Sequence, residues 1–217
     1  MNPSKREPLA YCLVQKKGSA GETGPRFGTQ YDLTDACPRC GTGAKQISPL
    51  DVRPSDFAKT RHIVTTYCDE VLFSKALADF LLIRISCKRQ LRQVRDRRTK
   101  KPLSWWQVLP TYTLPRWHSK TRGYEIAEGW QCPICKQDGY SGEVGRRFQL
   151  VYKSSQLPDR FPHFAATWER IGASVRTPRP GRIIGYANPL ILVSVQVKKL
   201  FEEFGTADMY YEPVYGC

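Results

Sequence analysis

Two copies of one short cysteine turn, Cys37-Pro38-Arg39-Cys40-Gly41 and Cys132-Pro133-Ile134-Cys135-Lys136, set the tightest limit on how this chain can fold. A Cys-x-x-Cys turn points two thiolates at one tetrahedral ion, and the backbone N–H groups between them can donate to the sulfurs. Two such turns complete a four-thiolate zinc site. A redox pair of the thioredoxin kind sits on a strand–helix–strand pattern, which neither copy has. Proline in the same slot of both copies argues against coincidence, and the competing readings are two separate reduced surface turns or, behind them, a disulfide. Some 92 residues separate Cys40 from Cys132, so a shared ion has to close a loop that is itself a folded unit. The other cysteines, Cys12, Cys68, Cys87 and Cys217, are scattered; they read as small buried hydrophobes, except that the last is expected to be free.

A chain of 217 residues with 41% hydrophobic and 12% aromatic side chains can bury a core of its own. No apolar run approaches the ~20 residues of a membrane span. Lys5 and Arg6 stand near the start with no apolar signal region behind them, which predicts a cytoplasmic protein whose thiols stay reduced. The formal charge of +14 is concentrated. Segment 84–122 holds twelve basic residues (Arg84, Lys88, Arg89, Arg92, Arg95, Arg97, Arg98, Lys100, Lys101, Arg116, Lys120, Arg122) against one acid, Asp96. Such a field favours an acidic protein surface or nucleic acid. Trp105, Trp106, Tyr112, Trp117 and Tyr124 interleave with these charges. That is the pattern of a single-strand binder, or of a sheet with its rings in the core and its charges in water. The candidate partner-binding set is Arg84, Lys88, Arg89, Arg92, Arg95, Arg97, Arg98, Lys100, Lys101, Trp105 and Trp106.

Patterning predicts strands over 9–14, 62–67, 82–87, 104–109, 189–193 and 209–215, an irregular stretch over 47–57 and a loop over 18–28. Ser74 and Ser194 are placed to cap helices, with Leu77, Phe80 and Leu81 on one apolar face and Val197, Leu200, Phe201 and Phe204 on the other, the second helix stopping at Gly205. Val71-Leu72-Phe73-Ser74 stands against Ile191-Leu192-Val193-Ser194, each downstream of a knuckle. The expected fold is therefore α+β: two degenerate halves, about 31–125 and 126–217, each a zinc knuckle followed by a capped helix, packed on mainly antiparallel β-structure. They form a single domain, 1–217, behind a partly irregular segment 1–30. Strands 82–87 and 104–109 make a hairpin with a basic tip.

Enzyme chemistry is not indicated. His62, His118 and His163 stand far apart, His118 being at most a reserve ligand. Gly139, Gly142 and Gly145 follow a knuckle, where they relieve a tight turn rather than form a phosphate loop. No nucleophile elbow or paired-carboxylate motif occurs. Four thiolates leave zinc no open position, so the ion would be structural.

The two knuckles, with Leu157-Pro158-Asp159-Arg160-Phe161, Trp168-Glu169-Arg170-Ile171-Gly172, Ile191-Leu192-Val193-Ser194 and Glu212-Pro213-Val214 following in that order, resemble the double-CxxCG-motif immunity proteins of myxobacteria. The resemblance covers 35–45 and 130–215, and Lys136 departs from it where the pattern has glycine. It implies a non-enzymatic bacterial protein that binds and neutralises a cognate toxin, with Cys37, Cys40, Cys132 and Cys135 holding the fold. Taken with the charge, it implies a toxin with an acidic surface. A nucleic-acid-binding zinc ribbon using segment 84–122 is the alternative.

Overall fold

The computed structural model describes residues 7–15, 21–57, 61–142, 148–176, 183–207 and 209–217. The protein is mixed, mostly sheet, with two α-helices among the described residues. A five-stranded sheet runs in the spatial order Asp51–Val52, Leu91–Asp96, Pro102–Val108, Val71–Ser74, Ile63–Thr65. A seven-stranded sheet runs Leu150–Tyr152, Met209–Gly216, Ala10–Gln15, Asn188–Ser194, Phe164–Ile171, Tyr140–Gly142, Tyr124–Ile126. Pairing is antiparallel except where Asp51–Val52 meets Leu91–Asp96, Leu150–Tyr152 meets Met209–Gly216, and Tyr140–Gly142 meets Phe164–Ile171.

Both helices begin as their sequences dictate. In α1 (Lys75–Arg84) Ser74 Oγ accepts from the Leu77 N–H at 3.4 Å, and in α2 (Val195–Phe204) Ser194 Oγ accepts from the Val197 N–H at 3.2 Å. Each cap satisfies a donor that the first helical turn leaves without a partner. The serines are themselves tied down in the same way: the Ser74 N–H donates to His62 O at 2.9 Å and the Ser194 N–H to His163 O at 3.1 Å. Gly205, at φ +82°, ends α2 with its N–H turned back to Phe201 O and Glu202 O.

Residues 82–87 do not form the expected strand. The Ser74 cap and the i, i+4 pair Leu77 and Leu81, both fully buried, carry the helix through Arg84, and Ile83 is left 83% exposed. The strand that pairs with Pro102–Val108 is instead Leu91–Asp96, reached through a short 3-10 turn at Lys88–Gln90. The stretch 47–57 is more regular than expected, with a strand at Asp51–Val52 and a 3-10 turn at Pro54–Asp56. Part of the loop expected at 18–28 and Gly145 lie outside the described residues; Pro25–Phe27 is a 3-10 turn.

The strand order reveals a relation that local patterning hides. In both sheets an edge strand pairs in parallel with the strand that follows the helix, and the strand leading into the helix pairs with the strand that precedes it within that sheet. Between these pairs lies one further strand: Pro102–Val108 in the smaller sheet, Ala10–Gln15 in the larger. The registers agree, since Ser74 faces Trp105 and Phe73 faces Trp106, while Ser194 faces Ala10 and Val193 faces Tyr11. The slot filled locally in one sheet is filled from the start of the chain in the other.

Side chains at matching positions build the core. Ile63, Phe73, Leu77 and Leu81 meet Phe164, Val193, Val197 and Phe201 in one buried cluster, with the Phe73 ring 5.8 Å from Phe164 and 5.5 Å from Phe201. Edge-to-face and tilted rings at these distances add attraction beyond area burial. On the outer faces, Leu50, Val52, Val64, Leu72 and Val94 line one sheet, and Ala10, Cys12, Leu150, Tyr152, Leu192 and Val214 line the other.

Candidate metal centre

Each knuckle is a tight turn closed by its own backbone. The Gly41 N–H donates to Cys37 O at 2.8 Å, and the Lys136 N–H donates to Cys132 O at 3.0 Å. The residue after the second cysteine must then adopt a left-handed conformation: Gly41 has φ +73° and Lys136 φ +57°. The two positions differ in what surrounds them. A Cβ on Gly41 would lie 2.5 Å from Ile183 Cδ1 and 2.6 Å from Tyr186 Cε1, so any larger residue there has to displace those side chains. Lys136 pays the left-handed penalty of about 1 kcal/mol. Accordingly, Lys136→Gly raises the unfolding free energy by about 1 kcal/mol in urea titration, whereas Gly41→Ala lowers it by more than that.

The second sheet and the chain that leaves it position both knuckles. The Arg170 N–H donates to Gln137 O at 2.6 Å and the Gly139 N–H to Gly172 O at 2.7 Å, fixing the second knuckle to the strand Phe164–Ile171. Buried Asp138 holds it from within, Oδ1 accepting from the Cys132 N–H at 2.7 Å. Further along, Ile183 and Tyr186 support Gly41, and Arg176 donates to Pro38 O at 3.4 Å.

The four sulfurs of Cys37, Cys40, Cys132 and Cys135 consequently lie within 4.8 Å of one another. Cys37 Sγ is 3.8 Å from Cys132 Sγ, and Cys40 Sγ is 3.4 Å from Cys135 Sγ, each pair 95 residues apart in the chain. A tetrahedral zinc ion with Zn–S bonds of about 2.3 Å has sulfur–sulfur edges of about 3.8 Å. The donor set is thus the right size and chemistry for one such ion, and all four cysteines are free thiols. Cys40 and Cys132 are buried, while Cys37 and Cys135 reach the surface.

The local electrostatics favour thiolate at one position. Burial pushes the Cys37 thiol up, but the backbone N–H groups of Cys40 and Arg39 and the Cys40 and Cys132 side chains outweigh it and bring the group down to about 7. Burial raises Cys40, despite Thr42 Oγ1 at 3.1 Å, and raises Cys135 as well. Arg170 lies within the field of the Cys135 and Cys40 sulfurs, with its Nε shielded from solvent and without a hydrogen-bond partner. Four thiolates around a divalent ion carry a net charge of −2, and a nearby guanidinium offsets part of it. Nothing in the sequence beyond its place in Trp168-Glu169-Arg170 marked Arg170 for this position.

The remaining cysteines divide by burial. Cys12 and Cys87 are fully buried packing residues, Cys68 is partly exposed, and Cys217 is exposed. His62 serves the fold: its Nδ1 lies 2.9 Å from Ser74 Oγ, and the ring packs edge-on to Phe204 at 4.9 Å.

The structure separates the members of the basic segment. Arg92 Nη1 donates to Gln46 O at 3.0 Å and Ser48 O at 3.1 Å. Arg95 and Lys100 both pair with the fully buried Asp51, at 3.1 and 2.9 Å, a hub that sequence reasoning missed. Arg97 stacks on Phe27 at 3.9 Å and donates to Glu22 O. Trp105 stacks on Phe57 with centroids 4.6 Å apart, and Trp106 packs on the central core. Lys88, Arg89, Arg98 and Lys101 are exposed. The six-residue strand Leu91–Asp96 places Lys88 and Arg89 about 20 Å from Arg98 and Lys101, at the opposite end of the hairpin.

No protein-family model, no curated protein and no solved structure matches the chain. Among the described residues, no helix is long and apolar enough to cross a membrane.

Proposed function

We propose that this chain is a non-enzymatic binding protein whose two degenerate halves are held together by one structural zinc ion on Cys37, Cys40, Cys132 and Cys135. We further propose that it acts in the bacterial cytoplasm as an immunity protein for a toxin with an acidic surface. The observation that carries the reading is the four-sulfur cluster, which brings together chain segments 95 residues apart. A closed set of four thiolates serves architecture rather than hydrolysis. The matching strand orders, with their serine-capped helices, support the two-halves reading. The exposed cations left after internal pairing support an acidic partner. The immunity role rests on the resemblance carried by the knuckles and the motifs that follow the second.

Co-expression with the product of the neighbouring open reading frame tests this reading. A stoichiometric complex, together with rescue of growth when that product is toxic, is the expected result. Submicromolar binding to random oligonucleotide, steeply weakened by salt and with no co-purifying protein, would replace the reading with nucleic-acid recognition.

A further inference from the structure

The end of the hairpin away from its tip forms a cleft of about 1030 Å³ between the C-terminus of α1, the Lys88–Gln90 turn and the Pro162–His163 segment. Its rim carries Arg84, Lys88 and Arg89, and among the described residues no acid lines it. This differs from the hairpin tip, where Asp51 takes up Arg95 and Lys100. Arg84 is held in place, stacked over Phe80 at 3.6 Å and paired with Glu203 at 3.3 Å. The turn bearing Lys88 and Arg89 is anchored by buried Gln90, whose Nε2 donates to Phe164 O at 3.1 Å and Thr111 Oγ1 at 3.3 Å. The two cations therefore project from a fixed base.

Beside these cations the lining combines aliphatic side chains with Ser86, Gln90 and Thr111. Leu82, Ile83 and Ile85 belong to it, and Ile83 at 83% is more exposed than any other large hydrophobic side chain described. His163 also lines the cleft, and its Nδ1, shielded from solvent, has no hydrogen-bond partner. An aliphatic side chain left in water beside the exposed Lys88 and Arg89 matches a partner that offers carboxylates next to an apolar residue. Bases of a nucleic acid bind such grooves by stacking on aromatic rings, and among the described residues no Phe, Tyr or Trp lines this one.

We infer that this cleft, rather than the hairpin tip, receives an acidic protein segment that inserts an apolar side chain beside Ile83. The inference rests on the binding-protein reading above and names its docking site. Lys88 and Arg89 meet the carboxylates, and Leu82, Ile83 and Ile85 cover the apolar residue.

The probe is a fluorescent peptide of alternating Glu and Leu, followed by anisotropy at low salt. Two double variants carry the same change in net charge: Lys88→Glu with Arg89→Glu in the cleft, and Arg98→Glu with Lys101→Glu at the tip. The cleft pair is expected to weaken binding about tenfold or more and the tip pair less than about twofold. Ile83→Ser, which leaves the charge unchanged, is expected to weaken it about threefold. All substituted residues are exposed, and unchanged thermal unfolding checks that each variant is folded. Equal losses from both double variants, no effect of Ile83→Ser, no binding of the peptide, or its displacement by random oligonucleotide would each overturn the inference. The same variants in co-expression separate the two readings. A complex that forms but ignores the cleft variants removes the docking site and leaves the binding function standing, whereas a wild-type chain that forms no complex removes the function itself.

Discussion

Replacing Cys132 with serine lowers the unfolding free energy by about 4–5 kcal/mol, the scale expected when a cross-link closing a loop of roughly a hundred residues is lost. The ion would join Cys37 and Cys40 to Cys132 and Cys135, segments 95 residues apart, so its loss releases the whole intervening chain from that constraint. A serine hydroxyl is a poor zinc ligand beside a thiolate, so the variant is expected to lose the closed four-thiolate site and with it the cross-link. The check is urea unfolding with and without a strong chelator. Chelation should cost the wild type a similar amount and the Cys132→Ser variant little more. Cys217→Ser, at an exposed cysteine outside the cluster, should unfold like wild type in both conditions.

Removing residues 1–15 abolishes cooperative folding of the seven-stranded sheet. The strand Ala10–Gln15 lies inside that sheet, with six residue pairs to Met209–Gly216 on one side and three to Asn188–Ser194 on the other. Its Ala10 and Cys12 side chains are fully buried and Leu13 nearly so. Deletion leaves two strands with unpaired backbone facing a gap, and each buried unpaired N–H or C=O costs about 1–3 kcal/mol. Circular dichroism and chemical denaturation of the truncated chain read the loss. Adding a synthetic peptide of residues 7–15 should restore much of the lost structure, since the slot is shaped by two strands that remain. A truncated chain that unfolds like the full one would show that the strand does not belong there.

How far the sequence spoke for the fold depended on distance along the chain. The knuckles were legible because a Cys-x-x-Cys turn is local and its ligand chemistry is sharp. Ser74 and Ser194 were legible because capping acts within one helical turn. The terminal strand was also local, as a β-rich run behind a helix stop.

Nonlocal pairing was not legible. Nothing near Ala10 marks it as the strand that stands where Pro102–Val108 stands in the other sheet, because β-register is decided by partners remote in sequence. The matching placement of Leu50-Asp51-Val52 and Leu150-Val151-Tyr152, each an edge strand followed by a 3-10 turn, is masked by unequal spacing. The chain from Leu150 to Ser194 is some twenty residues longer than that from Leu50 to Ser74, and the excess contains the ribbon of Val175–Arg176 with Ile183–Gly185. That ribbon supplies Ile183, which supports Gly41, so the added length serves the four-cysteine cluster.

The basic segment was legible as charge but not as surface. Composition counts Arg92, Arg95 and Lys100 as equal to Lys88 and Arg89, and only the fold shows which cations already have partners.

Whether one zinc ion on four sulfurs joins the two knuckles is open to direct measurement. Native mass spectrometry of the protein purified without added metal, combined with zinc-edge X-ray absorption, tests it most directly. One zinc per chain is expected, with four sulfur neighbours at about 2.3 Å and no nitrogen or oxygen neighbour. A folded, metal-free chain, or zinc bound with fewer than four sulfurs, would contradict it.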